Sequence, residues 1–155
     1  MTNSNPKVTP SDPALGLLYR QFEHDLFARH VGIDILEIRP GYARVTATVQ
    51  QSMLNSLGTT HGGAVFTVAD FALAIASNSH GEAAVATNVS INFIKATEAG
   101  DVLEATATEE NRTRKTGLYR IEVINNNGDK VAIATASVYR LGKPLTGELG
   151  PGVSK

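Results

Sequence analysis

The stretch from Asn55 to Asn78 reads N-S-L-G-T-T-H-G-G-A-V-F-T-V-A-D-F-A-L-A-I-A-S-N, and its second half decides the fold. A polar, Gly-containing loop runs into His61-Gly62-Gly63, after which the chain is apolar for the length of a helix. A helix that is apolar nearly all round has to be enclosed by other structure rather than lie on a surface. Two of its residues are poor local choices. Asp70 brings a carboxylate into an apolar segment, which is costly unless something compensates it. Gly62 and Gly63 open the helix although each glycine weakens a helix by about 1 kcal/mol relative to alanine. Locally unfavourable choices that gather in one element mark a functional site.

On the N-terminal side, Ser11 and Asp12 offer capping oxygens and Pro13 suits a first helical turn. Leu15, Leu18, Phe22, Leu26 and Phe27 recur at helical spacing and predict one amphipathic helix from Ala14 to His30, ended by Gly32. Ile33 to Ile38 reads as a strand closed by the turn Arg39-Pro40-Gly41. From Tyr42 to Gln50 apolar and polar residues alternate, with Ala43, Val45, Ala47 and Val49 on one face. A loop over 52–60 precedes the central helix, expected over 62–79. Four strands follow, at 84–95, 102–110, 118–125 and 130–141. Asn126-Asn127-Gly128-Asp129 between the last two is a hairpin signal. Runs of strands with short connections make an antiparallel sheet, and one enclosed helix requires that sheet to wrap round it. The expectation is a single α+β domain over 14–142, with loose tails at 1–13 and 143–155.

A chain of 155 residues is long enough for one well-filled core and short for two. Lys and Arg total 14 against 15 for Asp and Glu, so no global field favours nucleic acid or anionic lipid. The sequence has no cysteine, which excludes disulfides, thiolate metal sites and a Cys nucleophile. The four histidines are scattered, with no metal-ligand pair at helical spacing, so no metal is expected. No apolar run approaches the roughly 20 residues that span a bilayer, and no apolar signal segment follows Met1. A cytoplasmic enzyme or binding protein is the natural class.

Asn55, His61-Gly62-Gly63 and Asp70 at these spacings, with this element order over residues 14–142, resemble the hotdog-fold thioesterases. The similarity is to the branch that includes the phenylacetic-acid-pathway enzymes. It implies a hotdog fold, an antiparallel sheet around a mostly apolar helix, and hydrolysis of acyl-CoA thioesters without metal or redox cofactor. It also implies that His61 and Asn55 support the site from the loop side, and that a small polar residue of the following strand lies near the attacking water. Thr87, Asn88 and Ser90 compete for that last role, because Ala86 stands where some relatives carry a hydroxyl.

The residues carry a matching chemistry. The first N–H groups of a helix lack intrahelical partners and bear partial positive charge. Without side chains at Gly62 and Gly63, a carbonyl can approach those groups closely, which makes an oxyanion hole for acyl transfer. Asp70, seven residues beyond Gly63, lies about 10 Å further along the same axis. Two copies of the helix packed antiparallel about a two-fold would bring each Asp70 to the other copy's Gly63. The family resemblance implies the same site shared across a homodimer interface. Exposed Gly-Gly helix ends and an apolar helix that one sheet does not fully cover favour such dimers, paired into homotetramers. Asp70 then acts as nucleophile or as general base for water. Arg112, Arg114 and Lys115, with Thr116, form a basic turn between two strands that suits the phosphates of coenzyme A. Tyr42, Phe66, Phe71, Phe93 and Tyr119 are candidates for an aromatic-acyl pocket or for core. Two rivals remain at this stage. One is a hotdog hydratase or dehydratase on the same thioesters, and the other is an acyl-CoA-binding protein without turnover.

Overall fold

Asp12 opens the first helix as its sequence suggests: the carboxylate accepts the Ala14 N–H at 2.8 Å, and Pro13 occupies the first turn of α1 (Pro13–Glu23). The computed structural model describes residues 10–153, so residues 1–9 of the tail expected over 1–13 and residues 154–155 of the tail expected over 143–155 lie outside the described part. The single helix expected over 14–30 is divided. Asp25 turns extended, accepts the Ala28 N–H at 2.8 Å and caps a separate α2 (Leu26–Val31). An Asp side chain competes with the helix for backbone donors, and here it wins in the middle of an unbroken apolar period. Leu26, which a continuous helix would have set on the face of Leu15 and Phe22, is consequently 54% exposed, and Phe27 beside it is 61% exposed. Gly32 ends α2 with a φ of 79°, the left-handed conformation that suits glycine.

The chain continues through β1 (Ile33–Arg39) and β2 (Tyr42–Thr48), a short 3-10 turn (Gln51–Met53), and α3 (Gly62–Asn78). It ends in β3 (Glu82–Phe93), β4 (Val102–Arg112), β5 (Thr116–Ile124) and β6 (Lys130–Pro144). The six strands form one antiparallel sheet in the order β1-β2-β4-β5-β6-β3. Ala43, Val45, Ala47 and Val49 all face the core, as their alternation predicts. Across the same face lie Ala105 and Ala107 of β4 and Ala132, Ala134 and Ala136 of β6, none more than 2% exposed. Such small side chains let α3 approach the sheet closely, and it packs on β2, β3, β4 and β5. This is the sheet-wrapped helix of the hotdog fold.

The C-terminal end of α3 is tied into the sheet. The Ser79 hydroxyl donates to the Ala76 carbonyl and accepts the Gly41 N–H, both at 2.7 Å. His80 Nε2 lies 2.7 Å from Glu109 Oε2, which also accepts the Tyr119 hydroxyl at 2.6 Å. Burial alone would raise the Glu109 carboxyl, but the hydrogen bonds from Tyr119 and His80 hold it below the usual carboxylate range. One end of α3 is thus structural. The opposite end, with the two glycines, meets the loop.

At the sheet margin, among the described residues β3 pairs only with β6, so its outer backbone edge is unpaired by them over a twelve-residue strand. Val85 and Phe93 of this strand are exposed. Edges of this length are templates for another strand.

Candidate active site

His61 sets the start of α3. Its Nδ1 accepts the Gly63 N–H at 2.8 Å, and its carbonyl accepts the Ala64 N–H at 2.9 Å. A ring nitrogen that accepts carries no proton, so the neutral ring holds its proton on Nε2. The side chain expected to support the site is therefore the N-cap of the helix itself. Gly62 N–H makes no hydrogen bond among the described residues.

The two glycines answer to different constraints. A Cβ on Gly62 would lie 3.2 Å from Cζ of Phe93, whereas one on Gly63 would meet only the His61 ring, at 3.0 Å from Nδ1. Gly62 admits an aromatic ring against the helix. Gly63 leaves room for the His61 ring to lie against the helix start and accept its N–H.

Down the same face of α3, at helical spacings of four and three, come Thr67 and Asp70. The Thr67 hydroxyl donates back to the Gly63 carbonyl at 2.8 Å. Gly63, Phe66, Thr67 and Asp70 form the stripe of α3 that the sheet leaves open, while the turns beyond Asp70 are almost wholly buried. Asp70 is half-buried and makes no hydrogen bond or ion pair among the described residues. Burial raises its proton affinity above that of an ordinary aspartate, and the charge of Asp25 adds to the effect. An unpaired carboxylate with raised basicity on an open face has no structural use in a single copy of the chain.

The remaining candidates fall into two groups. Asn55 serves its own loop: its Oδ1 accepts the Leu57 N–H at 2.9 Å and the Thr59 N–H at 3.2 Å, and its amide donates to the Thr59 hydroxyl. It faces the helix start across a cleft of about 330 Å³ that Gly62 and Phe93 also line. Thr87 sits at a bulge in β3 and donates to the Ser137 carbonyl at 3.1 Å. The neighbouring Asn88 is exposed on the same edge strand, and no hydrogen bond joins either residue to Asp70.

The basic turn divides. Arg112 turns back to Glu109, with its Nε 3.7 Å from Oε1. Arg114 and Lys115 instead line a cleft of about 430 Å³ with Arg140 and Lys143 of β6. Arg140 is bound to Glu82 and donates to the Thr113 carbonyl at 2.7 Å, which fixes the turn that carries Thr116. Arg140 and Lys143 escaped the sequence reading because only the pairing of β6 with β3 and β5 brings them here. The cleft also takes in Gly81, just past the C-terminal end of α3.

Tyr119 and Phe71 belong to the core, Phe71 against Phe22 at 6.1 Å between ring centres, and Tyr42 lies beneath the Arg39 guanidinium. They are packing residues. No group of three or more potential metal ligands occurs among the described residues.

Similarity to known proteins agrees with this geometry. Residues 57–132, which span the helix start, Asp70 and three of the strands that follow, match the thioesterase superfamily. The acyl-coenzyme A thioesterase PaaI of Escherichia coli is 42% identical over 130 residues, 84% of this chain and 93% of that protein. The E. coli PaaI structure superposes with a TM-score of 0.83 at 40% identity, covering 86% of this chain and 96% of the other. A hypothetical thioesterase from Streptococcus pneumoniae, solved with coenzyme A, gives a TM-score of 0.71 at 31% identity, covering 74% and 92% of the two chains. An uncovered glycine-led helix end, a free carboxylate on the same face and a likeness that spans most of the chain lead to one conclusion: the chain belongs to the thioesterase superfamily.

Proposed function

We propose that this chain is an acyl-CoA thioesterase that hydrolyses a small aromatic or medium-chain acyl-CoA to the free acid and coenzyme A. The observation that carries the reading is the unpaired Asp70 on the face of α3 that begins at Gly62 and Gly63. The activity named for the E. coli relative and the coenzyme A held by the S. pneumoniae protein support it.

Two copies pair through the open β3 edges, with their α3 helices antiparallel, so that each site joins one copy's Gly62 and Gly63 to the other's Asp70. Such dimers pair further into homotetramers. The thioester carbonyl enters at the helix start, where Gly62 N–H is open and Gly63 N–H is held by a neutral nitrogen of His61. As the tetrahedral intermediate forms, its oxygen becomes an anion and outcompetes that neutral acceptor. His61 thus holds the donor in place until the charge arrives. Asp70 takes a proton from water as the water attacks the carbonyl carbon, and its raised basicity suits that role. Collapse breaks the C–S bond, the thiolate leaves as coenzyme A after taking up a proton, and the acid is released. The Arg114, Lys115, Arg140 and Lys143 cleft receives the phosphates, Asn55 shapes the loop, and Thr87 and Asn88 border the water. The chemistry needs no metal or redox cofactor. It calls on no membrane or nucleic acid, and suits a cytoplasmic enzyme.

Because Nδ1 of His61 is committed to the helix start, an Asp/His pair for proton abstraction from the acyl chain is not assembled, which argues against a hydratase. Thiol release from acetyl-, hexanoyl- and phenylacetyl-CoA, by wild type and Asp70→Asn, tests the proposal. Turnover that collapses in the variant supports it. Tight binding of the esters without turnover by wild type would make the chain a binding protein.

A further inference from the structure

Both α1 and α2 pack on α3, and the joint between them lies beside Asp70. The Phe22 ring of α1 rests on Phe71, with 6.1 Å between centres. Further along the chain, Phe27, His30 and Val31 of α2 face Gly63 and Thr67 across a cleft of about 320 Å³. The two segments therefore run in opposite directions, 22 against 71 and 27–31 against 63–67. That sets Asp25, at the joint, opposite residues 67–71.

Asp25 is held firmly in that place. Its Oδ1 accepts the Ala28 N–H at 2.8 Å, its own N–H donates to the Phe22 carbonyl, and its carbonyl accepts the Arg29 N–H, the last two at 3.0 Å. A carboxylate fixed by a cap does not swing away into solvent. Capping does not call for a charge, since Asn or Ser caps a helix as well as Asp does. The joint thus sets a fixed negative charge beside the unpartnered Asp70, and neither carboxylate makes an ion pair among the described residues. The other ionisable groups nearby are Arg20, Glu23 and His24 of the α1 end, Arg29 and His30 of α2, and His61, joined in the proposed dimer by the second copy's His61. His24 is turned back to the Arg20 carbonyl at 2.7 Å, and His61 to the Gly63 N–H. The strands turn Val, Ile, Leu and Ala towards α3, while His80, Glu109 and Tyr119 bind one another at its far end, about 12 Å beyond Asp70. Burial raises the proton affinity of Asp70, and of these groups Asp25 is the one whose charge raises it further.

We propose that Asp25 is a positioning residue of the hydrolytic site, its locked carboxylate holding a negative charge against the catalytic base Asp70. This rests on the thioesterase reading and adds a residue to its machinery. Two like charges held close together repel. As water gives a proton to Asp70 and its oxygen bonds to the carbonyl carbon, Asp70 becomes neutral and the repulsion is released. The pair opposes the ground state and no longer opposes the transition state, which lowers the barrier between them.

The test separates the charge of Asp25 from its cap. Asp25→Asn keeps a capping oxygen and removes the charge, whereas Asp25→Ala removes both. Each is compared with wild type in a thermal melt and in the pH profile of kcat/KM for the most rapidly hydrolysed of the three esters. An NMR titration of the Asp70 carboxyl, assigned with Asp70→Asn, gives a readout that needs no turnover. In Asp25→Asn the melting temperature is expected to hold, while the acid limb of the profile and the carboxyl titration both move to lower pH. Its plateau should fall about two- to threefold, because the base is weaker. Asp25→Ala should show the same displacement together with a lower melting temperature. A carboxyl titration that stays in place in Asp25→Asn, or an acid limb that stays in place while the enzyme turns over, overturns the inference and leaves Asp25 as a cap of α2. A displaced titration in a protein whose wild type has no turnover keeps the charge pair and discards the thioesterase. Turnover with an unmoved titration keeps the thioesterase and discards the pair.

Discussion

Replacing Gly63 by alanine separates the chemical role of this glycine from a packing role. A Cβ there would lie 3.0 Å from Nδ1 of His61 and 3.4 Å from Cε1, with no other atom in reach. The exposed His61 ring can yield by a few tenths of an ångström, but in doing so it loses its 2.8 Å hydrogen bond to Gly63 N–H. Losing an N-cap costs about 1 kcal/mol. Alanine returns up to about 1 kcal/mol of helix propensity. The two nearly cancel, so the melting temperature should move by no more than about 4 °C. Catalysis has no such compensation. The methyl group crowds the His61 ring beside the N–H proposed to receive the oxyanion and displaces the group that holds that donor in place; loss of one such donor lowers kcat by about 100- to 1,000-fold. Thiol release followed with a chromogenic disulfide, beside a thermal melt of the same preparation, reads both quantities. Turnover within about threefold of wild type would refute the oxyanion role. A melting temperature lowered by more than about 10 °C would show that Gly63 is required for packing.

Asp70→Asn should raise the melting temperature at neutral pH. The folded-state proton affinity of Asp70 is raised, so its carboxylate opposes folding above its folded pKa, and the penalty disappears as pH falls through that value. Melts at pH 7 and pH 4 check this: the gain should shrink in acid, and a variant less stable than wild type at pH 7 would contradict it. Glu109 has the opposite sign. Its folded pKa is lowered, so its contribution is present above the ordinary carboxylate value and is lost as pH falls through the folded one. Glu109→Gln removes the charge that holds His80 and Tyr119, and should cost about 1–3 kcal/mol at pH 7 by denaturant titration. A cost near zero would show that the cluster does not anchor α3.

Much of this was legible in the sequence. The alternation of β2 and the Asn-Asn-Gly-Asp turn specified their strands, because each depends on neighbours a few residues away. The apolar circumference of α3 announced an enclosed helix, and Asp70 stood out against it. The break at Asp25 was hidden by an apolar period that runs straight through it, since a capping oxygen competes with helix propagation without disturbing the pattern. Two of the four basic residues in the cleft were invisible for a different reason: Arg140 and Lys143 reach Arg114 and Lys115 only through sheet pairing at long sequence separation. His61 was readable as part of the site, but its place as the helix cap depends on backbone geometry that no spacing reports.

The central claim is that Asp70 of one copy works with Gly63 of another. Mixing purified Asp70→Asn and Gly63→Ala chains after reversible dissociation tests it directly. Random pairing makes about half of the dimers mixed, and each mixed dimer carries one intact site of two, so activity should recover to about a quarter of the wild-type value. Recovery to that level supports a site built between copies. A mixture that stays as inactive as its two components, although mixed dimers form, would place Asp70 and Gly63 in one chain and contradict the account.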